Sequence, residues 1–389
     1  LLAFYHLTSA AHLCTVALAQ MFVKFSGFQY NSTMETYSTT YGKIVHQDSA
    51  EYMAQEVADE MVDLIFTSPP FALLRKKDYG NVAEDEYLAW FEPFAQHFHR
   101  ILKPTGSLVI DIGGSWIPSQ PTRSLYHFEL LIMLCRKYHF FLAQEFYWWN
   151  PAKLPTPAEW VNVRRIRVKD GINCIFWLSK TPWPKASNRR VLVPYSDSMH
   201  DLLKNGYEAK LRPSGHDISE KFSIDNGGAI PPNLIAIPNT ESNSYYLRYC
   251  RERNIKPHPA RFPAKLPEYF IRMLTDKGDL VLDPFGGSCV TGEVSERLHR
   301  HWVCCEVVEE YIEGAKGRFS SQAGNNEPSA DTEYYKIYNS SALWRNGSDE
   351  DVTPIDTNGG QHRPESVAHV NGKVSEDEFV HNTQLNLFD

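Results

Sequence analysis

Leu280-Val281-Leu282-Asp283-Pro284-Phe285-Gly286-Gly287-Ser288 is a short apolar run that ends in an acid, a proline and a pair of glycines. Consecutive apolar residues predict a strand over 279–283. The glycines predict a tight turn, followed by a helix over 292–298. A second apolar run predicts a strand over 301–306, and a helical pattern follows over 309–319. Strand, glycine turn, helix and strand in this order make a βαβ unit, the building block of a parallel sheet.

The same alternation extends upstream. Apolar residues over 62–67 predict a buried strand that stops at Ser68-Pro69-Pro70. Tyr87, Leu88, Phe91, Phe94, Ala95, Phe98, Ile101 and Leu102 recur at helical spacing. A strand is expected over 107–112, a helix over 124–138, an aromatic-rich strand over 140–149 and a helix over 266–274. Between 150 and 257 the periodicity fails and Pro, Gly, Asn and basic residues accumulate, which predicts an irregular inserted module. The fold class expected is α/β: a mostly parallel sheet with helices on both faces, interrupted by that insert.

In an open α/β sheet a ligand sits beyond the carboxyl ends of the strands, where glycines let the backbone approach it and a helix N-terminus favours a carboxylate or phosphate. Glu306 ends the next strand at a distance suited to holding ribose hydroxyls. The GxGxxG of dinucleotide enzymes and the GxxxxGK[ST] of P-loops are both absent. The pattern favours a cofactor that combines an adenosine with a carboxylate, such as S-adenosylmethionine. A lone Gly-Gly is ordinarily no more than the turn of a structural βαβ unit. Asp283, the glycines and Glu306 together are more specific than that.

Thr67-Ser68-Pro69-Pro70-Phe71 is the second such turn. Two prolines remove two N–H donors and fix the backbone, so carbonyls are left as acceptors. Ser68 adds a side-chain acceptor and Phe71 a ring face. This set suits an exocyclic aromatic amine, whose hydrogens are taken by the serine oxygen and a proline carbonyl while the base stacks on the ring. Taken alone, Ser-Pro-Pro is more often just a proline turn ending a strand; its coincidence with the glycine turn raises the functional reading.

The 389 residues are 42% hydrophobic and 22% charged, an ordinary globular composition that excludes a mainly disordered, collagen-like or membrane-embedded chain. Seven cysteines form no CxxC pair and read as reduced thiols. The net charge of −8 is carried by residues 321–389; the remainder sums to zero. Against that neutral body, residues 161–190 hold Arg164, Arg165, Arg167, Lys169, Lys180, Lys185, Arg189 and Arg190 with one acid, Asp170. Such a run is either a polyanion-binding face or a solvated face with its counterions elsewhere. Residues 1–23 are apolar but interrupted by His6, Thr8, Ser9, His12 and Gln20, and fit neither a secretory signal nor a spanning helix. They read as translated upstream sequence, with the natural start expected at Met21 or Met34. The stretch from 320 onward reads as a flexible acidic tail.

At these residues the chain resembles the amino-group DNA methyltransferases of the β arrangement, in which the catalytic motif comes first, a target-recognition region is central and the cofactor motif comes last. The resemblance covers roughly residues 41–319 and includes FTSPPFALLRKKDYGN (66–81), YWWNPAKLPTPAEWVN (147–162), RPSGHD (212–217), DNGGAIPPNL (225–234) and HPARFPAKLPEYFIRML (258–274). Serine in the catalytic motif is typical of the cytosine-N4 branch; adenine-N6 members usually carry Asp or Asn. The resemblance implies a Rossmann-like methyltransferase fold laid out as an extension (1–40), a catalytic half (41–150), a target-recognition region (151–257), a cofactor half (258–319) and a tail (320–389). It implies transfer of a methyl group from S-adenosylmethionine to a flipped cytosine in double-stranded DNA, in the cytoplasm of a bacterium, as the modification half of a restriction system, with CAGCTG as the implied site. By position, Ser68, Pro69 and Pro70 would activate the amine beside Phe71. Asp283, Phe285, Gly286, Gly287 and Ser288 would form the cofactor loop, with Glu306 on the ribose and Asp48 near the adenine. His258 and Phe262, within His258-Pro259-Ala260-Arg261-Phe262-Pro263, would complete the methionine side. Tyr147, Trp148 and Trp149 match an aromatic segment near the flipped base. Cys289 departs from the family, where many relatives carry Gly or Asn, and is expected to alter only loop packing.

DNA contacts are expected from the basic insert, with Arg164, Arg165 and Arg167 on phosphates and Arg212, Ser214, His216 and Asn226 as base-reading candidates. No cysteine follows a proline, which disfavours cytosine-C5 chemistry. His299, His301, Cys304 and Cys305 fit no standard zinc spacing, so no metal is expected. Gln384-Leu385-Asn386-Leu387-Phe388 resembles the pentapeptide that binds bacterial sliding clamps, through Gln384, Leu385, Leu387 and Phe388; a chance apolar tip is the commoner explanation. Two other functions remain open from sequence alone: adenine-N6 methylation, and a non-catalytic DNA-binding protein on the same fold.

Overall fold

A computed structural model describes residues 36–72, 82–206, 224–240 and 244–320. Nine strands form one sheet: β1 (Thr36–Ser38), β2 (Gly42–His46), β3 (Val62–Thr67), β4 (Leu102–Ile112), β5 (Phe141–Trp149), β6 (Ile172–Ser179), β7 (Leu234–Ala236), β8 (Leu280–Asp283) and β9 (His301–Glu306). Their order is β1-β2-β9-β8-β3-β4-β6-β5-β7. The run from β2 through β9, β8 and β3 to β4 is parallel; β6 runs antiparallel to both β4 and β5.

Alternating side chains of the central strands feed two separate cores, which is why these strands read as unbroken apolar runs. Leu64, Phe66 and Val281 pack under α6 (Lys265–Leu274), α7 (Val290–Arg297) and α8 (Glu309–Lys316). Ile65 and Leu282 face the other way, under α1 (Ser49–Glu56), α2 (Tyr87–Ile101) and α3 (Tyr126–Arg136). The expectation of a mostly parallel sheet with helices on both faces therefore holds.

The adjacent pair β3 and β8 decides where a ligand can sit. From β3 the chain crosses through α2 to β4 on one side. From β8 it crosses through α7, on the opposite face, to β9 on the other side. The strand order reverses between them, and a crevice opens at their carboxyl ends. Both motif turns leave from those ends.

Several elements differ from expectation. Residues 172–179, expected inside an irregular module spanning 151–257, form β6 and pair along both edges within the main sheet. The run Ile172-Asn173-Cys174-Ile175-Phe176-Trp177-Leu178-Ser179 is apolar enough to be a strand, but the basic and proline-rich segments on either side masked it. Residues 245–252 form α5 (Tyr245–Glu252), whose Tyr246 and Cys250 are buried against Gly314 of α8, so this helix belongs with the cofactor half rather than the insert. β1, within the expected extension of residues 1–40, pairs with β2. The last described helix, α4 (Asp197–Asn205), buries no residue fully.

Strand β6 also divides the basic run. Because β6 is antiparallel, residues before it lie at the carboxyl edge of β4, and residues after it at the opposite edge, where Lys180 N–H donates to Gly106 and Lys185 N–H to Thr105. There Lys180 pairs with Glu60, Lys185 with Asp276 and Asp279, and Arg190 with Asp276. Three cations of the presumed face are thus structural pairs at the edge away from the crevice. Arg212, Ser214 and His216, the tail and Gln384–Phe388 lie outside the described residues, as does the N-terminal segment.

Gly42 illustrates how closely β2 is laid on β9. A Cβ there would sit 2.2 Å from the Trp302 carbonyl oxygen and 2.4 Å from its ring. Gly42→Ala is expected to destabilise the fold by about 2–3 kcal/mol through overpacking, read as a lowered urea midpoint with unchanged slope.

Candidate active site

Ser68, Pro69, Pro70 and Phe71 leave the end of β3; Asp283 and the loop Pro284 to Ser288 leave the end of β8. A single cavity of about 640 Å³ lies between them. Its walls include Ser68, Pro69, Pro70 and Phe71 on one side, and Phe285, Gly286, Gly287, Ser288, Glu306 and Asp48 on the other. His258 and Phe262 close a third side. Two turns separated by more than two hundred residues thus share one chamber.

Asp283 lies beneath the cavity and joins the two turns. Its Oδ1 accepts from Thr67 Oγ1 at 2.8 Å and from the Phe285 N–H at 3.1 Å; its Oδ2 accepts from Thr291 Oγ1 at 2.6 Å. Burial raises its pKa to about 6 despite these bonds. Glu306, at the end of β9, holds the glycine turn: Oε2 accepts from Gly287 N–H and Oε1 from Val307 and Val308 N–H. Burial raises its pKa as well. Asp48 caps α1, with Oδ1 accepting from Ala50 and Glu51 N–H.

Gly287 has φ of +51° and no room for a side chain, since a Cβ would lie 3.1 Å from the His258 ring. That imidazole sits edge-on to Tyr311, and burial lowers its pKa to about 4, so it is neutral at physiological pH. Cys289 adopts φ of +57°, the left-handed region that glycine and asparagine enter most readily. Its side chain is buried. Phe285 packs at a tilt against Trp90 and edge-to-face with Phe94 of α2, making an aromatic wall. Phe71 is seated over Gly113, where a Cβ would come within 2.6 Å of its ring.

Several polar residues of the cavity were not foreseen, Asp111, Asn173 and Lys153 among them. Asp111, near the end of β4, is buried; its Oδ2 accepts from Ser68 Oγ at 3.0 Å and its Oδ1 from Asn173 Nδ2 at 3.2 Å. Burial lifts its pKa to about 6, against the opposing pull of Asn173, Ser68 and Lys153. The signal in the sequence was a lone acid inside the apolar run Ser107-Leu108-Val109-Ile110-Asp111-Ile112. Asn173 and Lys153 had no such signal, because both lie in the stretch whose periodicity was unreadable.

A family model described as DNA methylase matches residues 62–317. This chain belongs to the DNA methylase family. Among curated members it is 50% identical over 310 residues to the type II methyltransferase M.PvuII of Proteus hauseri, covering 79% of this chain and 92% of that one. It is 28% identical to the type II methyltransferase M.BglII of Bacillus subtilis, over 73% and 70% of the two chains. Among solved structures, the PvuII DNA methyltransferase (cytosine-N4-specific) superposes with a TM-score of 0.60 at 44% identity, over 77% of this chain and 93% of that one.

In this family member, the loop of residues 150–171 stands at the same sheet edge as the cavity. Arg164 pairs with Glu159, both exposed, and stacks near Trp160. Arg167 bonds the Pro121 carbonyl and lies 4.3 Å from the Trp116 ring centre. Arg165 is exposed, as are Leu154, Val163, Ile166 and Val168 around it. Asn226 bonds within its own loop, its Nδ2 donating to the Ile224 carbonyl. Trp148 lines the cavity and donates to the Ile237 carbonyl; Tyr147 is largely exposed and not part of the cavity wall. His299 and His301 bond to Tyr41, and among the described residues no group of His, Cys, Asp or Glu could hold a metal ion. No helix of the described residues is long and apolar enough to cross a membrane.

Proposed function

We propose that this chain transfers a methyl group from S-adenosylmethionine to N4 of a cytosine rotated out of duplex DNA, at the sequence CAGCTG, as the modification member of a type II restriction system acting in the cytoplasm. The observation that carries the reading is the single cavity shared by the Ser68-Pro69-Pro70-Phe71 turn and the Gly286-Gly287 turn. It is supported by half-identity to a type II methyltransferase along nearly the whole of that relative.

The residues present fit the cofactor. Gly287, which has no room for a Cβ, leaves backbone against the cavity. Glu306 keeps a free lone pair on Oε2 for a ribose hydroxyl, and Asp48 Oδ2 is left for an adenine amine. The neutral His258 ring, Phe262 and the Phe285 wall offer apolar and cation-tolerant surface to a sulfonium. When bound, S-adenosylmethionine supplies an electrophilic methyl carbon.

The protein's part is to make a poor nucleophile competent. A cytosine amine is planar because its lone pair is delocalised into the ring. The ionised Asp111 is an acceptor only, so the Ser68 hydroxyl must spend its hydrogen on it. Ser68 Oγ is then obliged to face the amine as an acceptor. Together with a proline carbonyl it draws the two amine hydrogens out of the ring plane and localises the lone pair. The proton that the amine must lose on methylation, when the sulfonium S–C bond would break and leave its electron pair on sulfur, would pass through Ser68 Oγ to Asp111 Oδ2, whose pKa of about 6 suits a proton acceptor near neutrality. No covalent enzyme–base adduct is required.

Extrusion of the base costs a few kcal/mol. Arg164, Arg165 and Arg167 would offset that cost through phosphate contacts, and the exposed apolar residues beside them are the kind of surface that a macromolecular partner covers. Incubation with labelled S-adenosylmethionine and a CAGCTG duplex, followed by nucleoside digestion, is expected to yield N4-methylcytosine. N6-methyladenine as the sole product, or no product, would overturn the reading.

A further inference from the structure

The cavity has one amine-holding end and several polar residues beyond it. Most of those polar groups are already committed. Asn173 Nδ2 donates to Asp111, Asn239 Nδ2 donates to the Arg261 carbonyl at 2.7 Å, and Arg261 donates to the His258 carbonyl. Asn150 Oδ1 accepts from the N–H groups of Ala152 and Asn239. Among the cations of the cavity wall, Lys153 differs from Arg261. Its side chain lines the same cavity as Ser68, Asp111 and Asn173 and is only half-exposed, yet its ammonium makes no hydrogen bond with any described residue. Its backbone is pinned instead: its N–H donates to the Asn150 carbonyl, and its own carbonyl accepts from Lys169 Nζ at 3.1 Å. The charges around the ammonium are Asp170 and Asp111, which favour it, and Arg123, which opposes it; burial lowers its pKa. A desolvated cation with three unfilled donors, in a chamber built for a base, calls for an acceptor from outside.

Base chemistry identifies that acceptor. Cytosine presents an amine, a ring nitrogen and a carbonyl oxygen along one edge. Adenine presents an amine and a ring nitrogen in the same order, then a C–H where cytosine has its carbonyl. An amine site made of Ser68 and a proline carbonyl satisfies both bases equally. A donor at the third position of that edge does not, because it meets a carbonyl oxygen in cytosine and a C–H in adenine, which leaves it unpaired. We propose that the Lys153 ammonium donates to the O2 carbonyl of the extruded cytosine and thereby sets the preference for cytosine over adenine. This rests on the cytosine-N4 reading given above.

The test compares CAGCTG duplexes that carry either cytosine or 2-thiocytosine at the methylated position, sulfur being the weaker acceptor. For the wild-type protein kcat/KM is expected to fall about tenfold or more on the thio substrate, the loss of one charge-assisted hydrogen bond. Lys153→Met is expected to lose about 10- to 100-fold on cytosine, with the ratio between the two substrates collapsing toward one. Lys153→Arg, which keeps a cationic donor, should restore part of that ratio. A Lys153→Met protein that is slower but keeps the wild-type ratio overturns the proposal, because a structural role or a phosphate contact would depress both substrates alike. A wild-type protein that leaves the cytosine duplex unmethylated overturns the cytosine reading itself, and the two failures are distinguished by that control.

Discussion

Ser68→Ala is expected to lower kcat by about two to three orders of magnitude, the scale seen when one preorganised hydrogen-bonding group is removed from a reacting centre. The loss falls on kcat because the interaction strengthens as the amine lone pair leaves the ring, which happens only on the way to the transition state. Binding of DNA and of cofactor changes little: the hydroxyl is a small part of the cavity wall, and the neighbouring prolines keep the turn in shape. Single-turnover transfer of labelled methyl, with DNA affinity measured separately, checks both halves of this expectation. A variant with near-normal kcat would show that the Ser68 oxygen is not an acceptor for the amine.

Asp111→Asn produces a second large effect, and one with the opposite sign for stability. Asn173 Nδ2 requires an acceptor, so the new amide turns its oxygen toward Asn173 and its NH2 toward Ser68. The serine hydroxyl is then an acceptor of the amide and directs its hydrogen toward the target amine, the wrong polarity for activation. The same reversal occurs in the wild-type protein when Asp111 is protonated, since Asn173 occupies Oδ1 and the proton takes Oδ2. Activity of the wild type is therefore expected to rise as pH increases through about 6 and to level off above it. The variant should be slower by about 10²–10⁴-fold and should lose this limb, with any remaining acid sensitivity belonging to Asp283.

Stability follows the other direction. The folded-state pKa of Asp111 lies above its unfolded value of 3.8. Its contribution is complete below the unfolded value and is lost as pH rises through about 6. Removing the ionisable group should thus make the variant more stable at pH 8, by up to about 3 kcal/mol for a shift of roughly two units, with little difference at pH 4. Urea unfolding at the two pH values measures this directly. A carboxylate kept at a cost to stability is what a functional site requires.

The two turns were legible because each is a local pattern: an apolar strand, then residues whose backbone constraints have one obvious use. The bounds of β3 and β9 follow from unbroken apolar runs that the two-sided cores demand. Asp111 could be seen only as an anomaly, since its use depends on Ser68, forty-three residues away in the chain. Lys153 and Asn173 lay in a segment where charge and proline obscured the strand that carries Asn173 to the sheet. The basic run left its two readings open for a related reason. Summed along the chain it is one patch, but an antiparallel strand in its middle sends its halves to opposite sheet edges, and three of its cations turn out to have acidic partners from distant segments.

The hydrogen bond from Thr67 to Asp283 spans 216 residues. At ribosomal speeds of about 5–20 residues per second, some 10–40 s separate the emergence of one partner from that of the other. Once β4 has followed, and until β8 emerges, β3 has β4 on one side and no strand on the other, so an apolar strand edge waits uncovered in a nascent polypeptide. The reaction chamber therefore forms only once the turn after β8 has emerged, and until then the open edge of β3 is free to pair with strands of other chains.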